Sequence, residues 1–292
     1  MNDIKAKILD KKNLTADSDT RVMRIEIKAP SIARKARPGQ FVVVMVKEEG
    51  ERIPLTVVDC DKEKGSITLI VQELGLTTKL LGKSKIGDYL YSIVGPLGHA
   101  TEIKRYGTVI LVGGGVGIAE IYPVAKAMSA VGGAFSGEKS AGNNVLTIVG
   151  ARTKDLLILE DEMRSVSTGF HVTTDDGSYG RKGFVTDVLK EVLADHRGDV
   201  GLVYAVGPIP MMKMVSLATK DSGIKTLVSL NALMVDGTGM CGCCRVTVGG
   251  NVKFSCVDGP EFDGHLVDWQ ELQARSGTYS EKENHICKLN KL

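Results

Sequence analysis

Through the first hundred positions, apolar residues either alternate with polar ones or gather in short β-branched runs. Val22–Lys28 (VMRIEIK), Phe41–Lys47 (FVVVMVK) and Ser66–Gln72 (SITLIVQ) have strand length and are separated by polar or Gly/Pro segments. No helical period of useful length occurs before about residue 76, and Val94-Gly95-Pro96-Leu97-Gly98 closes the region with a turn. The pattern predicts an antiparallel barrel or sandwich over residues 1–100.

The pattern then changes. Thr108–Val112 is a short buried run followed by Gly113-Gly114-Gly115-Val116-Gly117 and a helix-like segment through Ser129. Val145–Val149, Phe170–Thr173 and Gly201–Val206 read as further strands, and Val185, Val188, Leu189, Val192 and Leu193 fall at helical spacing. Alternating strands and helices predict a doubly wound parallel sheet over residues 101–226. The Gly/Ser-rich stretch Val131–Asn144 is expected to be a surface loop. From about Leu227 glycine, cysteine and two short strands (Arg245–Val248, Val252–Ser255) predict a small third domain over 227–275. Residues 276–292 lack apolar periodicity and are expected to form a C-terminal tail. The fold class is thus a β barrel plus α/β.

Composition narrows the function. The 292 residues are 43% hydrophobic and 25% charged, and 37 basic against 35 acidic side chains leave a net charge of +2. That balance suits a globular chain and gives no electrostatic reason for binding nucleic acid or an anionic membrane. The longest apolar stretch, Val109–Ala134, contains Glu120, Lys126 and seven glycines or prolines, which argues against a membrane span. The start, MNDIKAKILDKKN, has no apolar run of the secretory kind, so a cytoplasmic location is expected.

The cysteines are unevenly distributed. Cys241, Cys243, Cys244 and Cys256 share one 16-residue window, whereas Cys60 and Cys287 stand alone. Reduced cytosolic thiols so grouped point to a metal site before a disulfide framework. Asp236, Cys241, Cys244 and Cys256 follow D-x4-C-x2-C-x11-C, close to the C-x4-C-x2-C…C of plant-type 2Fe–2S ferredoxins, with aspartate at the first position. A carboxylate is anionic and can bind ferric iron through oxygen; the spacing assigns no iron to Cys243. Zinc held by three thiolates plus Asp236 or His265 is one alternative, and a reactive or incidental cysteine group is another. Rieske ligation needs two histidines beside the cysteines, and His99, His171, His196, His265 and His285 are scattered.

Two further groups suggest nucleotides. Arg52-Ile53-Pro54-Leu55-Thr56, shortly after Pro38-Gly39-Gln40-Phe41, offers a cation, a rigid step and a hydroxyl; alone it also fits a solvated strand edge. Glu73-Leu74-Gly75-Leu76-Thr77-Thr78 can open a helix whose N–H groups receive a pyrophosphate, or be an ordinary Thr-capped start. The Gly113–Gly117 turn lies between strand and helix, as a phosphate cradle does, although it fails G-x-G-x-x-G at Ile118 and Glu120. Gly207-Pro208-Ile209-Pro210 follows another strand, and Met211, Met212 and Met214 read as core packing. Asp175 and Asp176 can accept from a ribose 2′-hydroxyl and repel a 2′-phosphate, which Arg152, Arg181 or Lys182 would instead bind. The balance favours NAD(H), with NADP(H) as the other reading.

In order, PGQF, RIPLT, the G-x-T-T turn, GPLG, GGGVG, GPIPMM and the ferredoxin-like loop resemble the ferredoxin–NADP reductase superfamily. Within it they are similar to the group containing the dihydroorotate dehydrogenase electron-transfer subunit and the small subunit of NADH-dependent ferredoxin:NADP oxidoreductase. The loop Val235–Arg245, with aspartate where the dihydroorotate branch normally has cysteine, resembles the reductase subunit. The resemblance implies that Arg52 holds FAD phosphates, Pro54 and Leu55 line the isoalloxazine, and Thr56 hydrogen-bonds near N5, the reacting atom. It further implies that Gly75, Thr77 and Thr78 contact the FAD pyrophosphate. Gly114, Gly115 and Gly117 would sit under the nicotinamide cofactor, Gly207 and Pro208 near its reactive ring, and Asp236, Cys241, Cys244 and Cys256 on a 2Fe–2S cluster. Flavin is the usual converter between hydride and single electrons, so the order of transfer would be NAD(H), FAD, cluster. The expected recipient is a larger partner subunit holding a second flavin and 4Fe–4S clusters in a bifurcating heterodimer, with ferredoxin reached through it. A dihydroorotate dehydrogenase electron-transfer subunit, a free-standing flavin reductase and a zinc-binding non-redox module are the alternatives.

Overall fold

The computed structural model describes residues 6–15, 20–131, 142–196 and 198–278. The chain divides into two compact units, one of Met1–Ala100, Asn231–Pro260 and Asp268–Leu292 and one of Thr101–Leu230 and Glu261–Val267.

The first unit opens with β1 (Ala6–Asn13), β2 (Val22–Lys28), α1 (Pro30–Lys35), β3 (Phe41–Met45) and β4 (Arg52–Thr56). It continues with β5 (Asp59–Asp61), β6 (Ser66–Gln72), α2 (Leu76–Lys83), β7 (Tyr89–Leu90) and β8 (Ser92–Leu97). These strands pair antiparallel in two sheets, β5-β6-β2-β1-β7 and β4-β3-β8. Period-two alternation explains the arrangement: Met23, Ile25 and Ile27 of β2 are fully buried while Arg24 between them is exposed. With Val42 and Val44 of β3 and Ile67, Leu69 and Val71 of β6 they form one core shared by both sheets.

Helix α1 is absent from the sequence reading. Its six residues are too short to show a period, and only Pro30 in the first turn marks it; Ile32 and Ala33 are what it buries. Helix α2 is finished by a distant residue: Lys11 Nζ on β1 donates to the carbonyls of Leu81 (3.4 Å), Ser84 (2.9 Å) and Gly82, placing a cation on the helix's negative end.

The second unit contains β9 (Thr108–Gly114), α3 (Gly117–Ser129), β10 (Asn144–Ala151), α4 (Glu160–Val166), β11 (Gly169–Thr174) and β12 (Arg181–Lys182). Then come α5 (Val185–Asp195), β13 (Val200–Val206), α6 (Ile209–Lys220) and β14 (Thr226–Ser229). The chain next builds the hairpin β15 (Arg245–Val248) and β16 (Asn251–Phe254) in the first unit, returns as β17 (Glu261–Asp263), and ends in α7 (Trp269–Ser276). The sheet order is β12-β11-β10-β9-β13-β14-β17, parallel apart from β17. Strand order reverses between β9 and β13, and every residue of β9 is buried, as a central parallel strand requires.

The boundary expected at 226/227 falls inside β14, and the parallel-sheet unit runs to Leu230 and regains residues 261–267 through β17. The four-residue run Thr226–Ser229 is too short for its sequence to distinguish a further parallel strand from a strand of the next domain. The expected loop Val131–Asn144 lies mostly outside the described residues; at its end, Asn143 accepts from Tyr106 N (2.8 Å) and donates to the carbonyls of Lys104 (2.9 Å) and Met128 (3.2 Å). Helix α7 reaches Ser276, where the tail was expected to begin, and residues 279–292 lie outside the described ones. Among the described residues no helix is long and apolar enough to cross a membrane.

Asn143→Ala would leave those three backbone groups short of partners at a buried point. It should cost about 1–3 kcal/mol, read as a lower urea midpoint. In the same unit, the largely buried Glu261 accepts from Tyr204 OH (2.9 Å) and from Thr101 Oγ1. Burial raises its pKa above the ordinary 4.5 despite those hydrogen bonds and the Lys225 charge. A raised carboxyl favours the fold below its unfolded pKa and loses that contribution as pH rises through the folded value. Glu261→Gln should therefore gain stability relative to wild type as pH increases above about 4.5, measured by urea unfolding across pH.

Candidate functional site

In an open parallel sheet, ligands enter at the carboxyl ends of the strands where strand order reverses. Here that point lies between β9 and β13, whose ends carry Gly113–Gly117 and Gly207-Pro208. The two turns touch backbone to backbone. A Cβ on Gly117 would lie 2.4 Å from the Val206 carbonyl oxygen, and one on Gly207 would lie 3.1 Å from Gly114 Cα. Side chains at these positions would drive the turns apart. Gly115 has φ +56° and open space around its Cβ position, so the cradle has room in front of it. Met211 packs its sulfur over Gly114 and Met212 is fully buried. Met214 is 46% exposed, which corrects the expectation that all three methionines are core.

Asp175 and Asp176 follow β11 on the same carboxyl edge, and both are exposed. Asp176 Oδ1 accepts from Ser178 N (2.9 Å) and Oγ (2.7 Å), and the backbone donor above all holds its pKa below the usual carboxylate value. Ser178 Oγ in turn accepts from Lys154 N (2.9 Å), tying the loops after β10 and β11 together. Arg181 is paired with Glu191, so its charge is balanced within the protein; Arg152 and Lys182 are exposed.

In the first unit, β4 is an edge strand that, among the described residues, pairs with β3 alone, which is where a proline such as Pro54 is tolerated. Arg52 is exposed and Ile53–Thr56 are half-buried. Helix α2 starts at Gly75, where the Thr78 hydroxyl accepts from Leu74 N (2.9 Å) and Gly75 N (3.1 Å). Thr77 Oγ1 donates to Glu51 Oε2 (2.8 Å), next in sequence to Arg52. That bond joins RIPLT and G-x-T-T into one surface, and nothing in the sequence pattern singles out Glu51. A Cβ on Gly75 would meet nothing within 4 Å. The open cradle, the Arg52 cation and the N–H groups of the first helical turn fit a pyrophosphate. Two other motifs are architectural: Gln40 of PGQF accepts from Arg37 N (3.0 Å) and donates to the carbonyl of Gly98 in GPLG (2.7 Å).

The cysteine loop lies in the same unit. Asp236 Oδ1 accepts from Thr238 N (2.7 Å) and Oδ2 from Cys241 N (2.8 Å), which lowers its pKa and folds the loop over itself. Cys244 and Cys256 are buried with sulfurs 3.2 Å apart, while Cys241 is exposed and Cys243 half-buried. Among the described residues no three His, Cys, Asp or Glu side chains converge as one metal ion requires. Of the four expected ligands, Cys244 and Cys256 bring their sulfurs together, whereas Asp236 reaches the backbone N–H of Cys241. Ser255 Oγ, beside Cys256, is buried with no hydrogen-bond partner among the described residues, as expected where a further group completes the site. His265 lies in the parallel-sheet unit with its ring on Thr219 Oγ1 (2.9 Å). The loop rests on the barrel: a Cβ on Gly237 (φ +78°) would lie 2.7 Å from Leu97 Cδ1 and 3.0 Å from Val43 Cγ2.

Comparison with known proteins agrees with this layout. Residues 5–101 match the oxidoreductase FAD-binding domain, 111–217 the oxidoreductase NAD-binding domain, and 231–268 the iron-sulfur cluster binding domain of dihydroorotate dehydrogenase B. A Thermotoga maritima homolog of the dihydroorotate dehydrogenase B (NAD(+)) electron transfer subunit is 51% identical over 257 residues, 88% of this chain and 86% of that protein. The chain belongs to the dihydroorotate dehydrogenase B electron-transfer subunit family. The Fusobacterium nucleatum family member is 30% identical over 247 residues, 82% of this chain and 90% of its own. A solved structure of an NADH-dependent reduced ferredoxin-NADP oxidoreductase, described for flavin-based electron bifurcation, is 48% identical with TM-score 0.85, covering 97% of each chain. A Plasmodium falciparum ferredoxin-NADP+ reductase, 16% identical with TM-score 0.60 over 75% of this chain and 90% of that one, shares the fold. As in its family, this chain is an FAD and iron–sulfur oxidoreductase with its FAD-binding, NAD-binding and cluster domains in that order.

Gly117→Ala should raise the KM for NADH about tenfold or more with flavin content unchanged, because the added methyl pushes β9's turn off Val206. Steady-state kinetics with flavin analysis checks both halves.

Proposed function

We propose that this chain is the NAD(H)-side subunit of a cytoplasmic, flavin-based bifurcating NADH-dependent ferredoxin:NADP oxidoreductase. Residues 1–100 would hold FAD, 101–226 with the remainder of β14 would hold the dinucleotide, and 227–275 would hold a 2Fe–2S cluster. A larger partner subunit with its own flavin and 4Fe–4S clusters would take the electrons and pass them to ferredoxin.

The observation that carries this reading is the seat of Gly237 on β3 and β8. Val43, against which Gly237 rests, is paired in register with Pro54, and Phe41 pairs with both Thr56 and Leu97. Adjacent strands lie about 4.8 Å apart, so the flavin-ring strand and the cluster loop are separated by one strand of one unit. FAD, when bound, supplies the exchange between the two-electron chemistry of nicotinamide and the one-electron chemistry of iron–sulfur groups. The chain's own residues bind and orient. Arg52 and the α2 start would hold phosphate, Pro54 and Leu55 would flank the ring, and Thr56 would offer a hydroxyl near N5. Gly75, Thr77 and Thr78 would shape the pyrophosphate turn, with both hydroxyls already committed to Glu51 and to backbone. Gly114, Gly115, Gly117, Gly207 and Pro208 would seat the dinucleotide, and the exposed carboxylates Asp175 and Asp176 would favour NAD(H) at its ribose.

Aspartate at position 236 and the 48% identity to the reductase structure support the reductase assembly over dihydroorotate oxidation. Co-purification with a dihydroorotate-oxidising FMN protein would reverse that preference. Asp236→Ala should lose most iron and its paramagnetic signal while keeping FAD and NADH-driven dye reduction. Iron and sulfide analysis with EPR decides this, and a full cluster with unchanged spectra would remove Asp236 from the ligand set.

A further inference from the structure

Arg245 on β15 and Arg275 on α7 line one cavity of about 160 Å³ together with Cys243, Ala232, Leu233 and Leu272. Arg275 Nη2 donates to the carbonyl of Cys243 at 3.0 Å, which fixes the guanidinium against the cysteine loop. Among the described residues neither arginine has a carboxylate partner. Two cations facing one small cavity repel each other, and an anion between them removes that cost. The rest of the wall is mixed, with Cys243, Ser276 and Thr278 on its polar side and Ala232, Leu233 and Leu272 on its apolar side, so a bare inorganic anion would leave Leu233 uncovered. A carboxylate on a short hydrocarbon stem satisfies both halves of a cavity of this size.

We propose that this cavity is a carboxylate-binding site in which Arg245 and Arg275 grip the carboxylate and Ala232, Leu233 and Leu272 cover its stem. The carboxylate comes either from a free small acid or from a side chain or terminus of the partner subunit. Because Arg275 also holds Cys243, which lies between Cys241 and Cys244, occupancy stiffens the cysteine loop and brings negative charge beside it. The site rests on the cavity and its arginines; the iron–sulfur reading is needed only for the spectroscopic readout.

The test uses the purified holoprotein, alone and in its co-purified complex, with succinate and inorganic phosphate as probes. Succinate should raise Tm saturably and phosphate should do so less. Arg245→Ala and Arg275→Ala should each weaken succinate about tenfold, the worth of one charge-assisted hydrogen bond. Arg275→Lys should recover little, since a bidentate fork is what grips a carboxylate. Succinate protection that disappears in the complex identifies a partner carboxylate as occupant; protection that persists identifies a free acid. If succinate protects only weakly but both alanine variants loosen the complex, the partner source is again supported. Equal protection by phosphate, or variants that change neither succinate protection nor complex stability, overturns the proposal. An EPR signal shifted by succinate in wild type and not in Arg275→Ala supports the link to the loop. A shift of equal size in both places the effect elsewhere and overturns that link.

Discussion

The cysteine-bearing segment cannot make a core of its own. Between Asn231 and Pro260 it has one two-stranded hairpin, and an isolated hairpin is at best marginally stable in water. It therefore borrows structure from the barrel. Gly237 lies on Val43 and Leu97, Gly98 leaves room for Pro260, and His99 N donates to the Gly259 carbonyl at 2.7 Å. Helix α7 closes the other side through Asp268 N on the Thr247 carbonyl (2.8 Å) and Arg275 on Cys243. This dependence is what sets the cysteine loop one strand away from RIPLT. A segment with its own core could sit anywhere that a linker allowed.

The parallel-sheet unit meets a different demand, which is to bring backbone rather than side chains to its ligand edge. Gly114, Gly117 and Gly207 interlock at the switch point, and each would meet a neighbour at 3.1 Å or less if it carried a Cβ. Charged side chains lie instead at the periphery. There Asp176 is braced by Ser178, while Arg181 and Arg164 are balanced by Glu191 and Glu160.

Much of this is legible along the chain because the relevant signals are local. The period of two in β2, the fully apolar β9 and the D-x4-C-x2-C spacing are each contained in a short window. What escaped reading depends on residues far apart. Glu51 meets Thr77, Gln40 meets Gly98, Lys11 meets the end of α2, and Asn143 meets Lys104, through pairings that only the fold creates. Helix α1 escaped for another reason, being shorter than two turns, and β14 looks the same in sequence whichever sheet it joins.

The order of the units along the chain has its own consequence. Residues 101–230 are inserted between the barrel and the segment that leans on it, and β17 threads back into the inserted sheet before α7 rejoins the first unit. During synthesis the barrel emerges first, yet its cysteine-bearing partner emerges only after the whole nucleotide sheet. The seat on Val43 and Leu97 therefore stays uncovered until the cysteine-bearing segment has been made.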